Sequence, residues 1–279
     1  MMTEADFLDR LRPLGHHPAA RGFADDAAVL GDLVFTHDML VEGVHFLPDD
    51  PAEDVAWKLV AVNLSDLAAQ GAVPVGVLLG YPLSTPAWDA AFVDGLAAVL
   101  REHDVPLLGG DTVMGPRVLS MTAIGRADVA PSRSGARSGD ILWVTGVIGR
   151  AGLGLQGDPE HLAAYRRPVP RLAEGQVLAP MVTAMMDVSD GLLIDAQRMA
   201  AASGLRVVIN LDAVPVVGER MAATTAGDDY ELLFSLPKGV DSPVKANHIG
   251  YFETGSGLEL RDTTGIVMLP ERLGWQHGQ

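Results

Sequence analysis

Residues 52–81 read AEDVAWKLVAVNLSDLAAQGAVPVGVLLGY. Pro51 precedes this stretch and Gly71 stands near the end of its first part, so Ala52 to Ala72 carries the start and stop signals of a helix. Val73 to Tyr81 follows as an apolar run of strand length, the pattern of a buried strand. A long helix that runs directly into a buried strand is the unit of an α/β chain.

The same alternation extends in both directions. Upstream, residues 4–12 suit a short amphipathic helix. Ala27–Leu30 and Leu33–Thr36 read as strands joined at Gly31-Asp32, a hairpin signal. Downstream, Ala87–Arg101 is helical, and Leu107-Leu108 ends a strand that enters Gly109-Gly110-Asp111. Val118–Ile124 is a further strand. The segment 130–139, APSRSGARSG, is polar and rich in small residues, and it marks a domain boundary. Beyond it, strands are expected at Asp140–Thr145, Met185–Val188, Val207–Leu211 and Tyr230–Leu236, with helices at Arg171–Met181 and Leu192–Ala202. The remaining chain reads as short strands and turns. The expectation is an α/β chain of the α+β type, with domains at 1–135 and 136–279.

Composition narrows the chemistry. The 279 residues are 48% hydrophobic, so each domain can bury a core. There is no cysteine, which excludes disulfides, zinc–thiolate sites and thiol nucleophiles. No apolar run approaches the ~20 residues of a membrane span. The acidic start MMTEADFLDRLRPL lacks the apolar region of a secretory signal, and a cytoplasmic location is expected. The formal net charge of −16 disfavours a nucleic-acid partner. It does not disfavour phosphorylated small molecules, because carboxylates hold divalent cations and the cations hold phosphates.

Aspartates in unusual settings follow. Asp25 and Asp26 directly precede an apolar strand. Asp38 follows LVFT and leads into Val41-Glu42-Gly43-Val44-His45-Phe46. On the helix, Asn63, Asp66 and Gln70 share one stripe with Leu59, while Val60, Ala61, Val62, Leu64, Leu67 and Ala68 cover its other faces. A carboxylate buried there needs a partner or a cation; a cap, a surface ion pair or a solvated face is the alternative. Gly109-Gly110-Asp111-Thr112 allows close approach of a phosphate, although a plain turn would look the same. Asp187 and Asp190 flank a strand-to-helix turn, with Asp195 beyond; Ser189 or Asp190 can be the helix N-cap, which leaves the other aspartate unexplained. Gly227-Asp228-Asp229-Tyr230-Glu231 enters the strand LLFS. The P-loop and protein-kinase signatures are missing, and GVIGRAGLG (146–154) lacks the dinucleotide fingerprint.

In order, GGDT, NLSDLAAxGAxP, MDxSDGL and G-[ED]-DYEL resemble the thiamine-monophosphate kinase family. That family sits in a superfamily with aminoimidazole ribonucleotide synthetase, selenophosphate synthetase and the hydrogenase-maturation dehydratase. The resemblance runs from about Asp25 to Trp275. NLSDLAA and SDGL mark the superfamily; DMLVEGVHF and DYELLF are closer to the kinase branch. It implies a homodimer built through the N-terminal domain and an ATP cleft between the domains. Magnesium ligands would be Asp26, Asp38, Asp66, Asp111, Asp187 and Asp190, with Thr36 contributing through its hydroxyl or backbone. Gly110, Asp111, Arg133 and Ser189 would contact ATP. His45, Asp228 and Trp275 would contact thiamine phosphate, with Trp275 able to stack on its rings. The plainer readings are a structural histidine at 45, a linker arginine at 133 and a hydrophobic anchor at 275.

The implied reaction is phosphoryl transfer from ATP to thiamine monophosphate, assisted by several magnesium ions and using no residue as nucleophile or base. The sequence departs from the pattern at Ala24, His37 and Gln70, where Gly, Ser or Thr, and Met are usual. Asp228 is shorter than the usual Glu, and the stretch between Leu236 and Ile249 is short. The alternatives are an aminoimidazole ribonucleotide synthetase-like enzyme or a non-catalytic nucleotide-binding paralogue. The selenophosphate synthetase and hydrogenase-maturation chemistries both need a cysteine that this chain lacks.

Overall fold

The computed structural model describes residues 4–276. Met1 to Thr3 of the N-terminal reading, and the last three residues of the C-terminal domain, lie outside the described residues.

Helix α1 (Glu4–Leu11) is followed by strands β1 (Ala28–Leu30) and β2 (Leu33–Val41), helix α2 (Ala52–Ala69), strand β3 (Val73–Leu83), helix α3 (Pro86–Glu102) and strands β4 (Leu107–Met114) and β5 (Val118–Arg126). These strands form a five-stranded sheet in the order β1-β2-β5-β3-β4. All its neighbours are antiparallel except the pair β3 and β4. The second half contains β6 (Ile141–Thr145), α4 (Arg150–Leu155), α5 (Leu162–Arg166), α6 (Leu172–Leu178), β7 (Ala184–Asp187), α7 (Leu192–Ala202), β8 (Arg206–Asn210), α8 (Arg220–Ala226), β9 (Leu232–Leu236), β10 (Ala246–Glu253), β11 (Gly257–Asp262) and β12 (Gly265–Val267). Its seven-stranded sheet has the order β12-β11-β8-β10-β6-β9-β7. The α/β class expected from the alternation of elements is the class observed, with one sheet on each side of the segment 130–139.

Among the differences from expectation, three strands bear on the site, while α2 and α6 each end three residues short of the expected Ala72 and Met181. β2 does not stop at Thr36: nine residues pair with β5, which carries the strand past Asp38 to Val41. β4 does not stop at Leu108: parallel pairing with β3 draws Gly109-Gly110-Asp111-Thr112 into the strand itself. β9 begins at Leu232 instead of Tyr230, because Asp228 and Tyr230 have left-handed backbones (φ 61° and 51°) that no strand accommodates. Helices α4, α5 and α8, with five to seven residues each, have too few turns to show a periodic signal.

α2 organises the molecule. Fifteen of its eighteen residues are buried, so it is an interior helix and not a surface one. It packs on the first sheet in one core cluster, with Leu59, Leu64 and Leu67 against Leu119 and Met121. Its end, Ala68 and Ala69, joins a different cluster with Leu178, Met185 and Phe234 from the second half. A glycine makes that second contact possible. A Cβ on Gly175 of α6 would lie 2.0 Å from the Ala68 carbonyl oxygen, so the two helices meet backbone to backbone. The core of the second half, including Met186, Leu193 and Phe252, lies between α7 and the second sheet.

Candidate active site

The aspartates converge where α2 crosses from one sheet to the other. Thr36 and Asp38 lie two residues apart on β2 and so share one face, the face that packs on α2. The Asp38 N–H donates to Asn63 Oδ1 at 3.2 Å, and the Asn63 amide in turn donates to the Leu59 carbonyl at 2.9 Å. One turn later on α2, Asp66 accepts a hydrogen bond from the Thr36 hydroxyl. Adjacent to it, the Ser65 hydroxyl donates to Asp187 at the end of β7, at 2.5 Å. Asp26 approaches from the segment before β1. Carboxylate oxygens of Asp26, Asp66 and Asp187 lie within 4.8 Å of one another.

Charge repulsion is strong here. Burial, followed by the charges of Asp38 and Asp187, holds Asp66 well above the usual carboxylate range. Burial and then the charge of Asp26 do the same to Asp187. Burial pushes Asp38 up to about 6, with Asp26 adding to the effect. Hydroxyls donate to Asp66 and Asp187, and the guanidinium of Arg133 pairs with Asp26. Acidic oxygens gathered in this way are the donor set that a hard divalent cation takes.

The turn after β7 answers the capping question. Neither Ser189 nor Asp190 caps α7; Gly191 occupies the N-cap position and makes no side-chain cap. Asp195, one turn inside the helix, accepts the N–H groups of Asp190 (3.1 Å) and Gly191 (3.2 Å). Burial raises it to about 7, although the facing Arg198 lowers it. Asp190 is thereby left out of the capping and pairs with Arg198. The chain returns to this turn near its C-terminus. The Trp275 N–H donates to the Asp190 carbonyl at 2.8 Å, which fixes a half-exposed indole beside it.

The remaining expected residues divide into two groups. His45 and Asp228 stand together at the other end of α2, joined through Lys58. The Lys58 ammonium donates to the His45 carbonyl at 2.9 Å and to Asp228 at 2.7 Å. Asp228 borders an open cleft lined also by Arg150, Arg167, Arg171, Asp229 and Glu231. Of the three acids around Tyr230, two are structural. Asp229 accepts the Gly149 N–H at 2.9 Å through each oxygen, and Glu231 is held by Arg171 and by Thr145.

Asp111 stands apart. Register places Gly110, Leu79, Met121 and Asp38 in one row across β4, β3, β5 and β2. Asp111 falls in the next row, with Gly80, Ser120 and Met39, and successive rows face opposite sides of a sheet. Three strand spacings, about 14 Å, also separate β4 from β2.

The partners of two side chains had no signal in the sequence. Lys58 lies in an otherwise apolar helix and is 2% exposed. Gln70, where the family pattern has Met, accepts from Arg21 at 2.9 Å. Arg21 also donates to Asp25 and to the carbonyls of Ala130 and Pro131, which ties the segment before β1 to the linker.

Comparison with known proteins follows this geometry. The family described as AIR synthase related protein, N-terminal domain, matches residues 24–127, and its C-terminal counterpart matches residues 137–262. A thiamine-monophosphate kinase of Caulobacter vibrioides is 39% identical, covering 99% of this chain and 91% of its own length. That of Escherichia coli K12 is 34% identical over 98% of this chain and 95% of its own. Among solved structures, AaThiL complexed with AMPPCP and TMP superposes with a TM-score of 0.88 at 26% identity, covering 99% of this chain and 97% of the other. The thiamine-monophosphate kinase of Stenotrophomonas maltophilia gives a TM-score of 0.77 at 34% identity, covering 91% and 95%. The hydrogenase maturation protein HypE of Escherichia coli, at 19% identity and a TM-score of 0.72, shares the fold.

Proposed function

Because this chain belongs to the thiamine-monophosphate kinase family, we propose that it transfers the γ-phosphoryl group of ATP to the phosphate of thiamine monophosphate. A phosphate oxygen of the acceptor forms the new bond to γ-phosphorus, the bond from the β,γ-bridging oxygen breaks, and ADP and thiamine diphosphate leave. One observation carries the reading: buried Asp66 and Asp187, held by hydroxyls, meet the more exposed Asp26 at the junction of the two sheets, in a chain whose relatives are thiamine-monophosphate kinases.

Asp26, Asp38, Asp66, Asp187 and Asp190, with the Thr36 hydroxyl, fit a magnesium site by their chemistry. Magnesium bound there supplies positive charge against the phosphates of both substrates. The chain's own residues do the rest. Ser65 and Thr36 hold two carboxylates in position. Arg133, which pairs with Asp26, is assigned to ATP, as are Gly110, Asp111 and Ser189. His45, Asp228 and Trp275 are assigned to thiamine phosphate. The acceptor phosphate has a second pKa of about 6 and is mostly dianionic at neutral pH, so no side chain has to remove a proton.

The domains proposed are 1–135 and 136–279. A homodimer is supported by β4. Every residue of this strand is exposed, and Leu107, Leu108, Val113 and Met114 are 48–79% exposed on it. An apolar edge strand this open invites a partner strand or sheet. Asp111, which faces away from this chain's own cluster, is assigned to the cluster of the second copy. A cytoplasmic location is proposed as well; among the described residues no helix is long and apolar enough to cross a membrane.

Purified protein, ATP, magnesium and thiamine monophosphate provide the test, with thiamine diphosphate as the readout. No product means that the reading is wrong. Product from aminoimidazole ribonucleotide precursors, or nucleotide binding without turnover, identifies one of the two alternatives.

A further inference from the structure

Lys58 is an ammonium group sealed inside the molecule, and all of its hydrogens are used. One goes to the His45 carbonyl at 2.9 Å, one to Asp228 Oδ2 at 2.7 Å, and the third side meets the face of Tyr165, 4.2 Å from the ring centre. These partners come from both halves of the chain: His45 from the loop after β2, Tyr165 and Asp228 from beyond the linker. The other oxygen of Asp228 accepts from the Tyr230 hydroxyl at 3.0 Å. The carboxylate is therefore held at both oxygens, on a backbone that is itself disfavoured, with φ of 61° at Asp228 and 51° at Tyr230. An unneutralised ammonium at this depth would be costly, so the Lys58–Asp228 pair is tight in geometry and sensitive to loss of either member.

We propose that Lys58 is a positioning residue for the acceptor substrate: it locks Asp228 and the His45 loop into one rigid wall of the thiamine-phosphate site. The proposal deepens the kinase reading and rests on it. Asp228 is one methylene shorter than the family's usual glutamate, so its reach is set by where its backbone and carboxylate are held. Lys58 provides that hold. It acts through Asp228 and His45, and not on the nucleotide, because Asp66, the aspartate of α2 assigned to magnesium, lies two turns further along the helix.

The test is steady-state kinetics with each substrate varied in turn, for wild type, K58M, D228N and the double variant. Wild type must form thiamine diphosphate; if it does not, the functional reading has failed and not the role of Lys58. In K58M the KM for thiamine monophosphate is expected to rise about tenfold or more, while the KM for ATP stays within about twofold. D228N raises the same constant, and the double variant is no worse than K58M alone, since both remove one hold. A lysine that served only the fold would shift both KM values and kcat together, or add its effect to that of D228N; either result overturns the proposal. If K58M does not fold, K58Q decides, because a neutral amide can still donate to the His45 carbonyl while the ion pair to Asp228 is lost: a rise confined to thiamine monophosphate supports the proposal, and an unchanged KM refutes it.

Discussion

Ser65 donates a 2.5 Å hydrogen bond to Asp187, and the two residues belong to different halves of the protein: α2 beneath the first sheet and β7 of the second. The bond joins the halves at the point where their carboxylates meet. Ser65→Ala should therefore affect both stability and chemistry. Losing a buried hydrogen bond to a charged acceptor costs about 1.5–3 kcal/mol. The expected result is a lowered melting temperature together with weaker magnesium dependence of turnover, read by thermal shift and by a magnesium titration of activity.

Asp66 provides a test with two opposite signs. Asp66→Asn should abolish turnover, as should Asp190→Asn. In the absence of metal, however, Asp66→Asn removes a carboxylate that Asp38 and Asp187 repel. The metal-free variant should then be more stable than metal-free wild type at pH 8, on the order of 1 kcal/mol for each pKa unit relieved. Its melting temperature should barely respond to magnesium. A wild-type-like magnesium response would remove Asp66 from the cation site.

The pH dependence follows from the raised carboxylates. Asp38 titrates near 6 and Asp195 near 7, both pushed up from about 3.8 first by burial. Between the unfolded and folded values the folded state binds more protons, so stability falls as pH rises through this window and levels off above it. Metal-free protein should melt at a higher temperature near pH 5 than near pH 8 so far as these groups decide. Magnesium competes with those protons, and its stabilising shift should be larger at pH 8 than at pH 5.5. A shift that shrinks with rising pH would contradict the cluster assignment.

Asp111 is testable by mixing. If it serves the site of a second copy, a heterodimer of one Asp111→Asn chain and one Asp66→Asn chain contains one intact site and one doubly damaged site. Co-expressed with two tags and purified by both, it should recover about half of wild-type activity, although each variant alone is inactive. No recovery would place Asp111 in the site of its own chain.

What could be read from the sequence, and what could not, divides along physical lines. The helix at 52–69 and the strand after it were legible because periodicity and end signals are local. The aspartates were legible because each interrupts an apolar segment where a charge has no reason to be. Three other features are products of tertiary contact. Lys58 occupies an unremarkable helical position, and its burial comes from distant partners that include His45, Tyr165 and Asp228. Gln70 finds Arg21 across forty-nine positions of chain. The direction of Asp111 depends on the register of four strands, which no stretch of residues encodes alone. The boundary of β4 was missed for the opposite reason: two glycines read as a turn, yet pairing with β3 holds them extended. At Gly110 a side chain is not tolerated in any case, because a Cβ would lie 1.9 Å from the Leu79 carbonyl oxygen.

The backbone contact between Ala68 and Gly175 bears on how the molecule comes apart. α2 belongs to the first half by sequence, but its last turn completes a core of the second. Neither half can open without stripping apolar surface from the other. By architecture the protein counts as two, and by cooperativity it should count as one. A single calorimetric transition is the expected signature, and either half produced alone should be insoluble for want of the helix, or of the glycine, that the other supplies.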